Sequence, residues 1–164
     1  MGKAYKYGAN VNTDVIIPAR YLNISDVGEL ARHAMEDIDE DFSKTVNPGD
    51  VIVAGSNFGS GSSREHAPLV LKTAGVAAVI APSFARIFYR NAFNIGFPIL
   101  ESGEASEAIS AGDEIEIDFK TGIIANKTRG ESYRVEPFPE FMSNLIRSGG
   151  LVEYVRAKKA KMQG

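Results

Sequence analysis

The residues best suited to chemistry crowd into one stretch, Gly55-Ser56-Asn57-Phe58-Gly59-Ser60-Gly61-Ser62-Ser63-Arg64-Glu65-His66-Ala67-Pro68. It follows a short apolar run and precedes a helical pattern, so in a parallel sheet it would lie at the carboxyl end of a strand, where open α/β sheets bind ligands. Glycines let backbone approach a ligand closely, and the first turn of a following helix offers unpaired N–H groups and a positive dipole end. Together these describe an anion site. Named phosphate and nucleophile motifs do not fit. No lysine stands where a Walker A loop needs one. Gly59-x-Gly61 is followed by Arg64, where a dinucleotide fingerprint calls for Gly or Ala. The Gly-x-Ser-x-Gly elbow is absent. Ser62 and His66 are four residues apart, as a hydrolase dyad on one helical turn would require, but no local third group orients the base. The plainer alternative is a glycine-rich turn in which Ser62 or Ser63 caps a helix and Arg64 forms a surface ion pair.

Composition narrows the chemistry further. The chain has 164 residues, 44% of them hydrophobic and 24% charged, which suits a single domain with a substantial core. A net charge of −3 argues against nucleic-acid binding driven by bulk charge. Apolar runs such as Val76-Ala77-Ala78-Val79-Ile80-Ala81 fall far short of the roughly 20 residues that span a bilayer. The first residues lack the apolar segment of a signal peptide, so the expected location is the cytoplasm. There is no cysteine, hence no disulfide, no thiol nucleophile and no thiolate ligand for zinc or an iron–sulfur cluster. Only His33 and His66 supply imidazole. Charge is uneven: residues 26–50 carry a net of −6 and residues 51–100 a net of +3, so the glycine-serine loop sits in the cationic part.

The pattern of elements that must position this loop is legible in outline. Residues 4–8 and 14–17 read as short strands around an Asn-Val-Asn turn. Ser25 or Asp26 can cap a helix reaching about residue 37, with Glu29 placed for a capping box. Pro48-Gly49-Asp50 is a turn, Val51–Ala54 a buried strand, 64–73 a helix stopped by Gly75, and 77–81 a second buried strand. Ser83 can cap a helix to about Asn94, and 98–100 is a third strand. This alternation predicts a parallel α/β layer. Residues 114–119 and 123–125 read as a hairpin around Lys120-Thr121-Gly122, with a further strand near Tyr133. Residues 139–147 and 150–161 have helical patterns.

Three blocks, in order, carry a resemblance. Asn57–Ala67 resembles the swivel-domain signature of the aconitase superfamily. Pro82-Ser83-Phe84-Ala85-Arg86-Ile87-Phe88-Tyr89-Arg90-Asn91-Ala92 agrees with it, and Asn12-Thr13-Asp14-Val15-Ile16-Ile17-Pro18-Ala19-Arg20-Tyr21-Leu22 resembles the N-terminal block of the separately encoded small subunits. Over essentially its whole length the chain resembles the 3-isopropylmalate dehydratase small-subunit family. The resemblance implies an α/β swivel domain in β/β/α layers with a partly parallel sheet, spanning 1–164 as one unit. It also implies a hydro-lyase of two chains, inactive without its large subunit. The 4Fe–4S cluster would be carried by that partner, with no metal on this chain. The implied reaction is dehydration and rehydration of 2-isopropylmalate in leucine biosynthesis.

By the same resemblance Ser62 would be the catalytic base, Arg64 and Ser63 would bind a substrate carboxylate, and Tyr21, Leu22, Asn23 and Ile24 would form the loop that selects the substrate's side group. Asp14 and His66 would support the site. Leu22 and Ile24 suit a branched alkyl group, and Asn23 adds no second cation. That points to isopropylmalate over homoaconitate or citrate, although Arg20 lies beside them. The alternatives are a homoaconitase or related dicarboxylate hydro-lyase, and a non-catalytic module that binds a dicarboxylate alone.

Overall fold

The computed structural model describes residues 1–62 and 64–136, together with Asn144, Arg156, Lys159 and Ala160. The helices expected over 139–147 and 150–161 fall almost wholly outside the described residues. The chain runs β1 (Gly2–Lys6), α1 (Thr13–Ile16), a 3-10 turn (Ala19–Tyr21), α2 (Val27–Ala31), α3 (Phe42–Thr45), β2 (Val51–Val53), α4 (His66–Ala74), β3 (Ala78–Ala81), α5 (Arg86–Asn94), β4 (Ile99–Glu101), α6 (Gly103–Ala108), β5 (Glu114–Asp118), β6 (Ile123–Asn126) and β7 (Glu131–Arg134). These strands form one sheet in the order β4-β3-β2-β1-β5-β6-β7. The pairs from β4 to β1 are parallel and those from β1 to β7 are antiparallel.

Two cores explain the layering. Successive side chains on a strand point to opposite faces, and the continuous apolar runs of β2 and β3 fill both. Ile52 and Val79 join Leu30, Phe42, Val70, Leu71, Phe88 and Ala92 on the helix side. Val51, Val53, Ile80 and Leu100 join Ile115, Ile124 and Tyr133 on the other. The antiparallel strands therefore curl back over the parallel ones, with α6 beneath through Ala105 and Ile109. The expected β/β/α arrangement with a partly parallel sheet is what the chain adopts.

Three local expectations are corrected. Residues 13–16 are helical rather than extended. Their β-branched composition favours a strand, but the Asn12 side chain accepts the Val15 N–H at 2.9 Å and the Thr13 N–H reaches across to the Ser60 carbonyl at 2.8 Å. The helix expected to reach residue 37 stops at Ala31. Asp26 caps it through the Gly28 N–H, and buried Met35 turns into the left-handed region (φ 61°) so that its N–H can bond the Ile16 carbonyl at 2.9 Å. Ser83 does not cap α5. Ala85 stands at that position, and the Ser83 hydroxyl instead accepts the Asn57 N–H. Gly75 does stop α4, at φ +108°. The short helix α6, capped by Ser102, is an element that the sequence pattern does not predict.

Candidate active site

The site is built where the carboxyl ends of β1, β2 and β3 meet. The segment after β1 and the loop after β2 are laced together by backbone bonds. Gly55 N–H reaches Gly8 O at 3.0 Å, Asn10 N–H reaches Ser56 O at 2.8 Å, and Gly59 N–H reaches Val11 O at 2.7 Å. On the other flank Phe58 N–H bonds Ser83 O at 3.1 Å and Ala85 N–H returns to Phe58 O at 2.9 Å. Phe58 is fully buried and edge-on to Phe84 and Phe88, with ring centroids 6.0 and 5.2 Å away. It pins the loop to the start of α5. Gly59 takes φ +83° with the Phe88 side chain directly against it, so a side chain there has neither the dihedral nor the room.

Ser62 follows from this scaffold. Thr13, itself buried, donates its hydroxyl to the Ser62 carbonyl at 2.9 Å, while the Ser62 side chain is exposed. Among the described residues no hydrogen bond occupies its Oγ. Ser62 is also not a helix cap: α4 begins at His66 behind Glu65, which makes no side-chain capping bond. The plain alternative for this serine is therefore removed by the structure. Ser63 lies outside the described residues.

Arg64 turns back toward α1. Its Nη1 lies 2.5 Å from Asp14 Oδ1 and donates to the Ile17 carbonyl at 3.1 Å. The arginine side chain is 15% exposed and the aspartate 59%, so the guanidinium is sheltered and the carboxylate is its solvent-side partner. The guanidinium is thus held by two partners, a carboxylate and a backbone carbonyl. Asp14 and Arg64, distant in sequence, are thereby brought together, a pairing that the sequence reading does not name. His66 is exposed at the first position of α4.

The Tyr21–Ile24 loop is held from one side. Tyr21, Leu22 and Ile24 are half-buried against the helix-side core, and Asn23 is exposed. Tyr21 stacks on His33 with centroids 3.8 Å apart and donates its hydroxyl to Glu36 at 2.8 Å. Arg20 forks onto Asp37 at 2.6 and 3.2 Å and lies 4.7 Å from the Tyr21 ring centroid. Hydrogen bonds from His33 and Tyr21 hold the Glu36 carboxyl below its usual range, and Arg20 does the same to Asp37. Sequence reasoning names neither Thr13 nor Phe58 nor Glu36 as part of this region. Thr13 and Phe58 do stand inside the recognised blocks, whereas nothing in the sequence signals Glu36.

Comparison with known proteins identifies the family. The family model described as the aconitase C-terminal domain matches residues 26–102. The 3-isopropylmalate dehydratase small subunit of Clostridium beijerinckii is 65% identical over 155 residues, covering 94% of this chain and 96% of that protein. The chain belongs to the 3-isopropylmalate dehydratase small-subunit family. A crystal structure of 3-isopropylmalate dehydratase from Methanocaldococcus jannaschii superimposes with a TM-score of 0.92 at 44% identity, covering 99% of this chain and 96% of that one. The family's relatives are not uniform in name. The 2,3-dimethylmalate dehydratase small subunit of Eubacterium barkeri is 63% identical, over 95% of this chain and 96% of its own length. No helix among the described residues is long and apolar enough to cross a membrane.

Proposed function

We propose that this chain is the small subunit of a two-chain hydro-lyase that isomerises 2-isopropylmalate to 3-isopropylmalate by removing and re-adding water, as a cytoplasmic step of leucine biosynthesis. The observation that carries the reading is Ser62: exposed, free of any capping duty, fixed through its own carbonyl, and followed two residues later by a sheltered arginine. Family membership supplies the reaction class.

The chain's own residues do not fit an iron–sulfur cluster. It has no cysteine, and among the described residues no three His, Asp or Glu side chains converge. The cluster would be held by the large subunit, and this chain would supply proton transfer and substrate binding. In that role Ser62 Oγ takes the proton from the carbon next to a carboxylate and returns it during rehydration. A serine hydroxyl is a weak base, so a nearby guanidinium must favour its deprotonated form. Arg64 meets that need, and since among the described residues Asp14 and Ile17 use only Nη1, its Nε and Nη2 can fork onto a substrate carboxylate. Asp14 orients the guanidinium, Ser63 shares the same oxygens, and His66 borders the site from the first turn of α4.

The side-group pocket is assigned to Tyr21, Leu22, Asn23 and Ile24. Arg20, the cation next to it in sequence, is already forked onto Asp37, which leaves an apolar wall suited to an alkyl group rather than a third carboxylate. The strong similarity to a 2,3-dimethylmalate dehydratase subunit favours a second reading within the same chemistry, a smaller alkylmalate as substrate. An apolar pocket separates such analogues by only about 1–3 kcal/mol per methylene.

The test is co-expression with a cluster-bearing large subunit, anaerobic purification, and enoate absorbance with 2-isopropylmalate, 2,3-dimethylmalate, homocitrate and citrate. The expected result is a complex most active on 2-isopropylmalate, with that activity lost in Ser62→Ala while the complex stays assembled. A preference for homocitrate would move the chain to the homoaconitase alternative. Tight dicarboxylate binding by this chain alone, without association, would leave only a binding module.

A further inference from the structure

Beyond the loop that meets substrate lies a closed group of side chains with no part in the proposed chemistry. Glu36 joins Tyr21 and His33 from below: its Oε1 accepts the Tyr21 hydroxyl at 2.8 Å, and its Oε2 lies 2.7 Å from His33 Nδ1. His33 and Tyr21 are themselves stacked, 3.8 Å apart with planes 10° from parallel. Arg20 and Asp37 close the outer side, with Arg20 Nη2 also 3.8 Å from Glu36. With the Arg20 guanidinium 4.7 Å from the ring centroid, three contacts therefore converge on Tyr21, the residue that opens the 21–24 loop.

The turn that presents His33 and Glu36 is itself held firmly. Ala34 and Met35 are fully buried, and Met35 adopts φ 61° to bond the Ile16 carbonyl. A non-glycine residue stays in the left-handed region only where its surroundings hold it there. The next carbonyl along, that of Ile17, receives Arg64. The same short segment of α1 thus anchors both the substrate-binding arginine and the turn that grips the loop.

We propose that Glu36, with His33, is a positioning residue for substrate selection: it latches Tyr21 so that Leu22 and Ile24 present a fixed apolar wall to the substrate's alkyl group. This rests on the alkylmalate reading above and extends it to residues outside the pocket. Neither side chain touches substrate. Their effect is on how well the wall is formed before substrate arrives, so it reads out in binding of a branched group rather than in the proton-transfer step.

The test uses the assembled two-chain enzyme with Glu36→Ala, Glu36→Gln and His33→Ala, assayed on 2-isopropylmalate and on the smaller 2-methylmalate, each as substrate or competing ligand. For Glu36→Ala the KM for 2-isopropylmalate should rise about tenfold, the worth of one such hydrogen-bonded contact. Its kcat, and the KM for 2-methylmalate, should change less than about twofold. Glu36→Gln keeps an acceptor for the Tyr21 hydroxyl and should recover most of the loss, and the Tyr21 ring protons, shifted by the stacked imidazole in the wild type, should lose that shift in His33→Ala. Equal losses on both substrates, or a fall in kcat with KM unchanged, would overturn the latch and mark these residues as structural only. Wild-type enzyme inactive on both alkylmalates would instead overturn the reading on which the latch rests.

Discussion

Replacing Gly59 with alanine should be far more damaging than its size suggests, and the structure separates the reasons. At φ +83° an L-residue incurs a backbone penalty of about 1–2 kcal/mol. The added Cβ would also stand 2.3 Å from Phe88 Cγ and 2.4 Å from Phe88 Cβ. Phe88 Cβ is next to the α5 backbone, so rotating the ring cannot relieve the contact and the helix itself must move. Overpacking of that kind adds about 1–3 kcal/mol, for a total of about 2–5 kcal/mol. In a chain of this size that lowers the melting midpoint by about 10 °C. Gly112 is the control: it has φ +88° but nothing within 4 Å of an added methyl, so alanine there incurs the backbone term alone. Urea and thermal unfolding of both variants isolate the steric part. Phe88→Ala combined with Gly59→Ala should be less destabilising than the sum of the single changes, because loss of the ring removes the contacts at Phe88 Cγ and Cδ2 and leaves only the one at Cβ. If the two glycine variants unfold at the same midpoint, the claim that Phe88 and Gly59 are packed without slack is wrong. Because Gly59 precedes the bonded pair Thr13–Ser60, the same displacement should also lower activity of the assembled enzyme.

Other expectations are more direct. Arg64→Lys keeps the charge but loses the fork, and should raise the KM for substrate by at least about tenfold in the assembled enzyme while leaving folding intact by circular dichroism. Acid stability should depend on Asp113, whose carboxyl is held below its usual range first by the Ser110 N–H, then by Asn126 and Arg129. A depressed folded value contributes stability that is present above the unfolded carboxylate value, near 3.8, and lost as pH falls through the folded one. The gap in urea midpoint between wild type and Asp113→Asn should therefore be constant from neutral pH to about 5 and close below about 4. A gap independent of pH would show that the aspartate acts through packing alone. Tyr133 gives the alkaline counterpart: burial, then Glu131, pushes its hydroxyl from 10.0 up to about 12. Its contribution should be intact below the unfolded value and lost as pH rises toward the folded one, which tyrosinate absorbance followed alongside unfolding would detect.

The parallel half of the sheet is readable because its signals are local. Val51-Ile52-Val53 and Ala78-Val79-Ile80-Ala81 are apolar without interruption, as strands buried on both faces must be. Gly75 and Gly96 mark helix ends that only a left-handed residue can make. The hairpin of β5 and β6 announces itself through alternation and a glycine turn. The expected strand at 14–17 fails for the opposite reason. Valine and isoleucine there satisfy a strand pattern, yet the segment's backbone is claimed by a side-chain cap at Asn12 and by bonds to Ser60 and Met35 from elsewhere in the chain. The over-long helix after Asp26 fails likewise, cut short where Met35 turns to meet Ile16.

What the sequence determined alone was the alternation of elements from β2 to β4, the place of the glycine-serine loop at a strand's carboxyl end, the family blocks, and the absence of any thiol for a metal. These depend on side-chain type at short spacing, and composition and order express them completely. Only the tertiary structure decided that Arg64 meets Asp14 and the Ile17 carbonyl, that the Thr13 hydroxyl holds Ser62 by its carbonyl and leaves the serine hydroxyl out of the bond, and that Glu36 grips Tyr21. Those contacts join segments apart in the chain, two of them through backbone C=O groups that every residue carries alike. No residue type advertises such a partner, so the pairing emerges only once the two cores have packed and brought the groups within reach.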